Sequence, residues 1–387
     1  MKPLRILLVT ETYPPEINGV AMTTSRLVAG LRERGHWVGL VRPRQHHADR
    51  GDATPWPVPG LSLPKYPGLH LGLPCWRRLG RLIEEQRPDL VHIVTEGPLG
   101  WAALFAARKR GVPVTSGYHT HFDQYSGHYG LDWLKPWIAG GLEALHRRCQ
   151  ATLAPTQELA AGLSARGIPN VQVVGRGVDT ELFNPLRRSA ALREQWGVAD
   201  GELVGLYIGR LAPEKNLEVV EQAFAAIAAR HPSARMVWVG DGPSLPRLRA
   251  AHPDHCFAGS RIGDDLAAHY ASADLFLFAS LSETWGNVVS EALASGLPVL
   301  AYRQAAAAVL IRDWENGRLV APGAAEAFTA AAQTLANDAS LRRHLGDQAC
   351  RTMRAHGWQA IVERFEAVLR EVAAMHSMAK AQPAIRP

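Results

Sequence analysis

Two glutamates flank the start of a predicted helix within residues 276–300. An apolar run typical of a buried strand ends before a polar turn that contains Glu283, and the short helix that carries Glu291 ends at Gly296. Because Asn287 and Glu291 are four residues apart, their side chains share one helix face. Carboxylates in these positions could accept hydrogen bonds from the hydroxyl groups of a ligand.

The backbone at the start of the same helix could bind an anion. Amides near Gly286, Asn287 and Val288 belong to the first turn, where N–H groups have no partner inside the helix and the dipole favours negative charge. Glu291 lies about one turn, ~5–6 Å, further along. A nucleotide sugar, with hydroxyl groups at both ends and a diphosphate between them, fits this pattern. The alternative is a solvated pair of carboxylates, stabilised by the dipole by about 1 kcal/mol or less.

Two cations follow another predicted strand. Arg210 and Lys215 lie in the loop after the strand over residues 203–208. When a sugar leaves a nucleoside diphosphate, negative charge grows on the phosphate, and groups placed in advance to stabilise such charge usually contribute most to catalysis. Arginine can bind phosphate oxygens through two parallel hydrogen bonds, and lysine supplies a compact charge. Two ordinary solvated cations would give the same pattern.

Further candidates are a glycine, two histidines and an arginine. Gly19, in the polar loop after the first predicted strand, would let the backbone approach a diphosphate closely, and a tight turn without a ligand is the alternative. His119 and His121 follow the predicted strand over 112–116, at a carboxyl end where open α/β sheets bind ligands. A structural hydrogen-bonding role is the alternative for each. Arg261 could approach the base of the donor or be a plain surface arginine.

We expect neither a metal ion nor a cofactor. The chain has no Asp-x-Asp pair and no compact carboxylate group of the kind that holds a divalent ion against a diphosphate, so cations and helix amides would replace the metal. The run Gly240-Asp-Gly lacks the third glycine and the following helix of a dinucleotide fingerprint. The cysteines are scattered without zinc-site spacing, as reduced structural thiols are; they are Cys75, Cys149, Cys256 and Cys350.

Composition limits the class of protein. With 387 residues, 47% of them hydrophobic and 20% charged, the chain is typical of a soluble globular protein with two domains. A net charge of +6 favours anionic partners, but no basic block or RNA-binding aromatic pattern accompanies it, so we expect no nucleic acid. No apolar run is as long as a membrane span, and residues 4–9 read as a core strand rather than a signal peptide, which predicts a cytoplasmic protein.

One stretch could make a peripheral contact with a membrane. Residues 131–148 mix aromatic with basic side chains and could lie on an acidic bilayer. A helix that packs on the core and has a solvated edge is the preferred interpretation.

Strands alternate with helices in both halves of the chain, which predicts βαβ units and parallel sheets. We predict an α/β protein with two Rossmann-like doubly wound domains facing across a cleft, with ligands at the carboxyl ends of the strands. The predicted domains cover residues 1–180 and 181–356, a helix over 357–376 follows, and residues 378–387 form a disordered tail. Residues 49–74, rich in Pro and Gly, are predicted to form an irregular loop. The predicted strands cover residues 4–10, 37–41, 89–94, 112–116, 151–154, 171–174, 203–208, 235–239, 273–278 and 298–301.

Several motifs, in order along nearly the whole chain, resemble a known family. Residues 283–299 read Glu-x7-Glu followed by Ala-Leu-Ala-Ser-Gly-Leu-Pro-Val. The other motifs are Tyr13-Pro-Pro-Glu-Ile-Asn-Gly-Val, Gly117-Tyr-His-Thr-His, Gly209-Arg-Leu-Ala-Pro-Glu-Lys-Asn and Asn316-Gly-Arg-Leu-Val-Ala-Pro-Gly. Together they resemble the retaining GT-B glycosyltransferases of glycosyltransferase family 4. In that family the last helix returns to the first domain, which implies the same for residues 357–376.

The resemblance implies a role for each candidate. His119 matches the histidine that positions the donor sugar, Glu283 the residue that contacts sugar hydroxyls, and Glu291 the residue that accepts hydrogen bonds from the ribose. Arg210 and Lys215 match the Gly-Arg-Leu-x-x-x-Lys motif at the diphosphate. Retention in this family is usually explained by front-face attack, with the departing phosphate removing the acceptor proton. A covalent intermediate would need a carboxylate below the anomeric carbon, and none is identified.

The motifs also indicate a donor and an acceptor class. Residues 61–67 and 302–308 look most similar to GDP-mannose-dependent α-mannosyltransferases and to sulfoquinovosyl and glucosyl lipid transferases. We therefore predict transfer of a hexose, foremost mannose from GDP-mannose, to a lipid or glycan acceptor, with a UDP-sugar as the alternative donor. Family members carry a glycine-rich turn near 304–308, where this chain has four alanines. A nucleotide-sugar 2-epimerase and a non-catalytic membrane-binding protein are the other hypotheses.

Overall fold

A computed structural model describes residues 2–16, 18–44, 55–62, 70–119, 135–199 and 201–381. Its contacts divide the chain into two compact units. Unit 1 comprises the described residues up to 119, those over 135–176 and those from Trp358 onwards, and unit 2 spans Gly177–Gly357.

Unit 1 is built on one parallel sheet. Its strands are β1 (Arg5–Val9), β2 (Trp37–Pro43), β3 (Pro55–Val58), β6 (Leu90–Ile93), β7 (Val114–Gly117), β8 (Ala151–Ala154) and β9 (Val171–Val173). They lie in the order β3-β2-β1-β6-β7-β8-β9, and a separate antiparallel pair joins β4 (Gly60–Ser62) to β5 (His70–Gly72). The helices of this unit are α1 (Gly19–Glu33), α2 (Trp76–Gln86), α3 (Pro98–Lys109), α4 (Lys135–His146), α5 (Gln157–Ala165) and the last helix of the chain, α14 (Trp358–Ala381).

Strand β1 is buried on both faces. Ile6 and Leu8 belong to a core shared with α1 and α14, whereas Leu7 and Val9 belong to a core shared with α2 and α3. Successive side chains of a strand point to opposite faces, so the helices on both sides require an unbroken apolar run.

Unit 2 repeats this plan with its own core. Its strands are β10 (Val204–Ile208), β11 (Arg235–Val239), β12 (Cys256–Gly259), β13 (Leu275–Phe278), β14 (Val299–Tyr302) and β15 (Arg318–Val320), in the parallel order β12-β11-β10-β13-β14-β15. Its helices are α6 (Ala190–Gln195), α7 (Leu217–Ala228), α8 (Leu245–Ala251), α9 (Gly263–Ser272), α10 (Asn287–Ala294), α11 (Ala305–Leu310), α12 (Ala325–Asn337) and α13 (Ala339–Met353).

The strand order reverses between β1 and β6 in unit 1 and between β10 and β13 in unit 2. At such a reversal the loops leave the two strands toward opposite faces and open a crevice, which is where open α/β sheets bind ligands. In unit 2 the loop after β10 carries Arg210 and Lys215, and the loop after β13 carries Glu283. The topology therefore brings the predicted cations and a predicted carboxylate to neighbouring loops.

The predicted fold class, α/β with Rossmann-like units, is confirmed. Predicted and observed strands differ by at most two residues at an end, as where β2 extends to Pro43 instead of residue 41. Strands β12 and β15 were missed because they are short and not fully apolar.

Two predictions of irregular structure were wrong. The described part of residues 49–74 contains β3 and the β4–β5 pair. Strand β3 accommodates Pro55 and Pro57 because it lies at the sheet edge, and these prolines hid its pattern. Helix α14 extends to Ala381, past the predicted start of the tail at 378, and Lys380 Nζ donates to the carbonyl of Gly111 at 2.6 Å.

Candidate functional site

The loops after β10 and β13 are held together by hydrogen bonds. Ser282 Oγ donates to the carbonyl of Glu214 at 2.9 Å, and Asn216 Nδ2 donates to the carbonyl of Ala279 at 3.1 Å. In each bond a side chain of one loop donates to a backbone carbonyl of the other loop, and so satisfies an acceptor outside the strands. The two loops therefore keep a defined relative position.

A short ion pair lies between these loops. Lys215 Nζ is 2.6 Å from Glu283 Oε1, and Ser280 Oγ donates to the same oxygen at 2.9 Å. The side chains of Lys215 and Glu283 are only 10% and 15% exposed, so water screens the pair weakly. A Cβ on Gly286 would lie 3.7 Å from Glu283 Oε2, which places that oxygen beside the start of α10. One predicted cation and one predicted carboxylate thus meet at the predicted anion site.

Gly286 precedes helix α10 in a left-handed conformation with φ 89°. A side chain would be strained there, and glycine also supplies no side-chain oxygen to cap the helix. Asn287 and Val288 form the first turn of α10, as predicted. The glycine turn therefore brings the helix backbone close to Glu283.

Glu291 has a neutral hydrogen-bond partner, whereas Glu283 has a cation. The hydroxyl of Tyr270 donates to Glu291 Oε2 at 2.8 Å. Burial raises the pKa of Glu291 to about 7, although the hydrogen bond from Tyr270 opposes this rise. Glu291 is therefore partly protonated at neutral pH, whereas an ordinary exposed carboxylate is ionised there.

Arg210 follows β10 directly. The hydroxyl of Tyr207 donates to the carbonyl of Arg210 at 3.2 Å, and Arg210 Nη1 lies 4.0 Å from Glu214 Oε1. The Arg210 side chain is 37% exposed, so a ligand can reach it. The backbone before Arg210 packs closely against Gly240, where only glycine fits. A Cβ on Gly240 would lie 2.0 Å from the carbonyl oxygen of Gly209. The run that begins at Gly240 thus serves close backbone packing.

His119 lies in unit 1, just after β7. Burial lowers its pKa well below the ordinary value, and the positive charge of Arg176, whose Nη2 is 3.4 Å from His119 Nδ1, lowers it further. His119 is therefore neutral at physiological pH and suited to hydrogen bonding rather than to holding a charge. A Cβ on Gly117 would lie 2.3 Å from His119 Nε2, so this ring position requires glycine there. His121 lies outside the described residues.

Two other predicted residues have local partners. Gly19 is the first residue of α1, and Asn18 Oδ1 accepts from the amides of Val20 and Ala21 at 3.1 and 2.9 Å. Arg261 Nη1 is 2.9 Å from Asp265 Oδ2 in an exposed pair. Contacts of Gly19 and Arg261 with a donor remain predictions.

Several residues that support the site were not predicted from the sequence. Tyr270 holds Glu291, Ser280 holds Glu283, and Gln304 Nε2 donates to the carbonyl of Ser280. Ser280 could have been found, because a polar residue two positions after a buried strand lies at the ligand-binding edge. Tyr270 could not, because its helix approaches Glu291 only through the tertiary fold.

The described residues contain no group of three or more His, Cys, Asp or Glu side chains arranged to hold a metal ion. Independence from metals stays a prediction.

The structure also bears on the membrane hypothesis. None of the helices described is long and apolar enough to cross a bilayer. Of the stretch over 131–148, residues 131–134 lie outside the described part, and the rest forms α4 and the residues after it. Leu145 is fully buried whereas Arg147 and Arg148 are exposed, as expected for a core-packed helix with a solvated edge.

Comparisons with known proteins identify the family. Residues 17–182 match the family model "Glycosyltransferase Family 4", and residues 202–338 match "Glycosyl transferases group 1". A GDP-mannose-dependent alpha-mannosyltransferase of Mycobacterium tuberculosis is 36% identical over 83% of this chain and 84% of its own length. The sulfoquinovosyl transferase SQD2 of Arabidopsis thaliana is 31% identical over 93% of this chain and 72% of its own length.

Solved structures agree at the level of the fold. Sucrose-phosphate synthase from Thermosynechococcus elongatus superposes with a TM-score of 0.76, at 19% identity, over 96% of this chain and 100% of the other. The similarities support a hexosyltransferase rather than a 2-epimerase or a non-catalytic binding protein. The chain belongs to glycosyltransferase family 4 and is a GT-B glycosyltransferase.

Proposed function

We propose that the protein is a metal-independent, retaining hexosyltransferase that moves mannose from GDP-mannose to a lipid or glycan acceptor. The observation that carries the proposal is the buried pair of Lys215 and Glu283 beside Gly286, at the point where the strand order of unit 2 reverses. A cation, a hydroxyl-binding carboxylate and a helix start in one place suit the diphosphate and the sugar of one donor.

The proposed chemistry has the protein stabilise the leaving group. The bond between the anomeric carbon and the diphosphate oxygen breaks, and Arg210 and Lys215 stabilise the charge that grows on that oxygen. The acceptor oxygen forms the new bond on the same face of the sugar, and its proton passes to the departing phosphate. Glu283 holds sugar hydroxyls, and neutral His119 donates or accepts a hydrogen bond on the sugar. No protein base is needed in this scheme.

Glu291 is proposed to hold the ribose of the nucleotide. Its ionised form accepts hydrogen bonds from two neighbouring hydroxyl groups, and Tyr270 orients the carboxylate from the other side. Because burial raises its pKa to about 7, ribose hydroxyls would also help to keep it ionised.

The choice of GDP-mannose as the proposed donor rests on the similar proteins. The Mycobacterium tuberculosis relative is named for GDP-mannose and mannosyl transfer, whereas the Arabidopsis thaliana relative is named for sulfoquinovosyl transfer. Transfer from a UDP-sugar to a lipid is therefore the second candidate.

We further propose that unit 1 touches acidic membranes through the exposed side of α3. Phe105 is 58% exposed and its ring lies 5.6 Å from that of Trp101. The guanidinium of Arg148 lies 5.9 Å from the Trp101 ring, and Arg108 and Lys109 are exposed at the end of α3. Aromatic rings beside positive charges suit the interface of an anionic bilayer.

A donor and acceptor assay tests the proposal. The purified protein is incubated with GDP-mannose or UDP-glucose and with vesicles that contain a glycerolipid or phosphoinositide acceptor. The product is analysed by mass spectrometry and by NMR of the anomeric proton. We expect transfer from GDP-mannose with retained α configuration, unchanged by EDTA. Inverted configuration, or loss of transfer with EDTA that magnesium restores, contradicts the mechanism, and turnover with UDP-glucose alone selects the second candidate.

Vesicle sedimentation tests the membrane contact separately. We expect the protein to bind vesicles that contain phosphatidylglycerol, and Phe105→Ser to weaken binding without changing the unfolding temperature. Equal binding of both proteins would contradict the assignment to α3.

A further inference from the structure

Glu214 is a buried acid in the loop that carries both cations of the proposed diphosphate site. It lies in the loop after β10, next to Lys215 and four residues after Arg210. The residue is 4% exposed, and its side chain is 1% exposed. Among the described residues, neither of its carboxylate oxygens has a hydrogen-bond partner.

An ionised carboxylate in this state costs stability. Buried polar groups are normally hydrogen-bonded, and a buried charge without such bonds destabilises the folded protein. A hydrophobic side chain of similar size would avoid that cost. The backbone of the same residue is well held, because Ser282 Oγ donates to its carbonyl at 2.9 Å. This contact holds the loop without involving the carboxylate.

The distance to Arg210 indicates how Glu214 acts. Glu214 Oε1 lies 4.0 Å from Arg210 Nη1, which is too long for a hydrogen bond and leaves the guanidinium orientation to other contacts. Coulomb attraction at this distance is still strong, and burial reduces its screening by salt. Glu214 therefore acts on its neighbours mainly through its charge.

We propose that Glu214 is a counter-charge that weakens the hold of Arg210 and Lys215 on the diphosphate, so that the nucleoside diphosphate product can leave. The inference rests on the proposed function, because it assigns the diphosphate to these cations. Two cations beside a helix start would bind the product as well as the transition state, and such uniform binding slows an enzyme whose product release is slow. One buried negative charge 4.0 Å from Arg210 reduces this binding.

The sign of the effect separates this role from a structural one. Damage to the loop would weaken nucleotide binding, whereas removal of a counter-charge strengthens it. We expect Glu214→Gln to lower the dissociation constant of GDP on the order of fivefold. The inhibition constant of GDP as a product should fall to the same extent, and the unfolding temperature should stay equal or rise.

Three variants complete the experiment, with GDP affinity measured by titration calorimetry. Glu214→Met removes the charge without adding buried amide donors and should also tighten GDP binding if the Gln variant folds poorly. Glu214→Asp keeps the charge and should bind GDP like the wild type. Glu218→Gln makes the same change of charge at an exposed position in the first turn of α7 and should leave GDP affinity unchanged.

Unchanged or weaker GDP binding by both Glu214→Gln and Glu214→Met overturns the inference. Arg210→Ala distinguishes this failure from failure of the proposed function. If Arg210→Ala weakens GDP binding while the Glu214 variants do not strengthen it, only the counter-charge is wrong. If Arg210→Ala also leaves GDP binding unchanged, the diphosphate does not bind at these cations and both proposals fail.

Discussion

Glu283 and Glu291 are eight residues apart in the chain but differ in their electrostatic environment. Glu283 is paired with Lys215 and accepts a hydrogen bond from Ser280. Glu291 has the phenol of Tyr270 as its partner, and burial raises its pKa to about 7. Glu283 therefore has a cation as its partner, whereas Glu291 has a neutral hydroxyl group.

We expect Glu283→Gln to lower the rate of sugar transfer by at least ~100-fold, as for loss of a transition-state contact. Glutamine keeps the shape and one acceptor oxygen but removes the charge that pairs with Lys215. Initial rates with saturating donor measure the effect. Glu315→Gln is the control, because Glu315 is 57% exposed and pairs with Arg312 on the surface. Near-wild-type turnover of Glu283→Gln would remove this carboxylate from the mechanism.

Glu291 should make the unfolding free energy depend on pH. Its folded pKa of about 7 exceeds the ordinary 4.5. Its contribution to the unfolding free energy is therefore greatest below pH 4.5 and is lost as the pH rises through 7. A shift of this size corresponds to about 3 kcal/mol. Glu291→Gln should therefore lose less stability than the wild type between pH 5 and pH 8 in urea unfolding. Parallel pH profiles of the two proteins would show that Glu291 ionises normally.

At the scale of elements, charged side chains join the last helix to the start of unit 1. Glu366 of α14 accepts from Arg34, from Arg370 at 2.6 Å and from His36 at 2.9 Å. The amide of Leu4 donates to Nδ1 of His36, so Nε2 carries the hydrogen that His36 donates to Glu366. Burial opposes ionisation of Glu366, but these hydrogen bonds outweigh it and lower its pKa to about 2.

Glu366→Gln should lower the unfolding free energy by about 2 kcal/mol at pH 7, because it leaves the buried His36 and the partly exposed Arg34 and Arg370 without their charged acceptor. Because the folded pKa of Glu366 is lowered, the wild-type advantage is present above pH 4.5 and is lost as pH falls toward 2. Thermal unfolding at pH 7 and pH 3 measures both effects. Glu363→Gln, at a 49% exposed partner of Arg34, should cost well under half as much. Equal losses in the two variants would contradict the role of Glu366.

Helix α11 begins in an unfavourable conformation. Ala305 has φ 47°, in the left-handed region that favours glycine. The amide of Ala306 donates to the carbonyl of Trp285 at 2.8 Å, so the turn is fixed against the loop that carries Glu283. This attachment explains why the alanine keeps a left-handed conformation.

Ala305→Gly should raise the unfolding free energy by about 0.5–1 kcal/mol, because it removes left-handed strain that exceeds the entropic cost of glycine. Ala308→Gly is a matched control on the exposed side of the same helix and should lower it by about 0.5–1 kcal/mol. Chemical denaturation of both variants gives the comparison. A loss of stability in Ala305→Gly would contradict the strain.

For the whole molecule, the alternating apolar strands and helices predicted both α/β units, since burial on both faces of a parallel strand leaves a clear apolar run. The motifs also led to Lys215 and Glu283, which the structure brings within 2.6 Å. The pattern could not predict the contact of Tyr270 with Glu291, the burial of Glu214 or the hydrogen bond from Gln304 to Ser280. All three depend on how separate elements pack. Strand β3 was not predicted because its prolines are unusual in a strand. The raised pKa of Glu291 could not be predicted either, because it depends on burial in the folded protein.

The central claim is that the cations of unit 2 hold the donor diphosphate beside the start of α10. A crystal structure of the protein soaked with GDP-mannose in the presence of EDTA tests it most directly. We predict diphosphate oxygens within hydrogen-bond distance of Arg210 and Lys215 and close to Gly286, with Glu283 contacting sugar hydroxyls. A diphosphate bound elsewhere, or one that binds only when a divalent cation is added, would contradict the account.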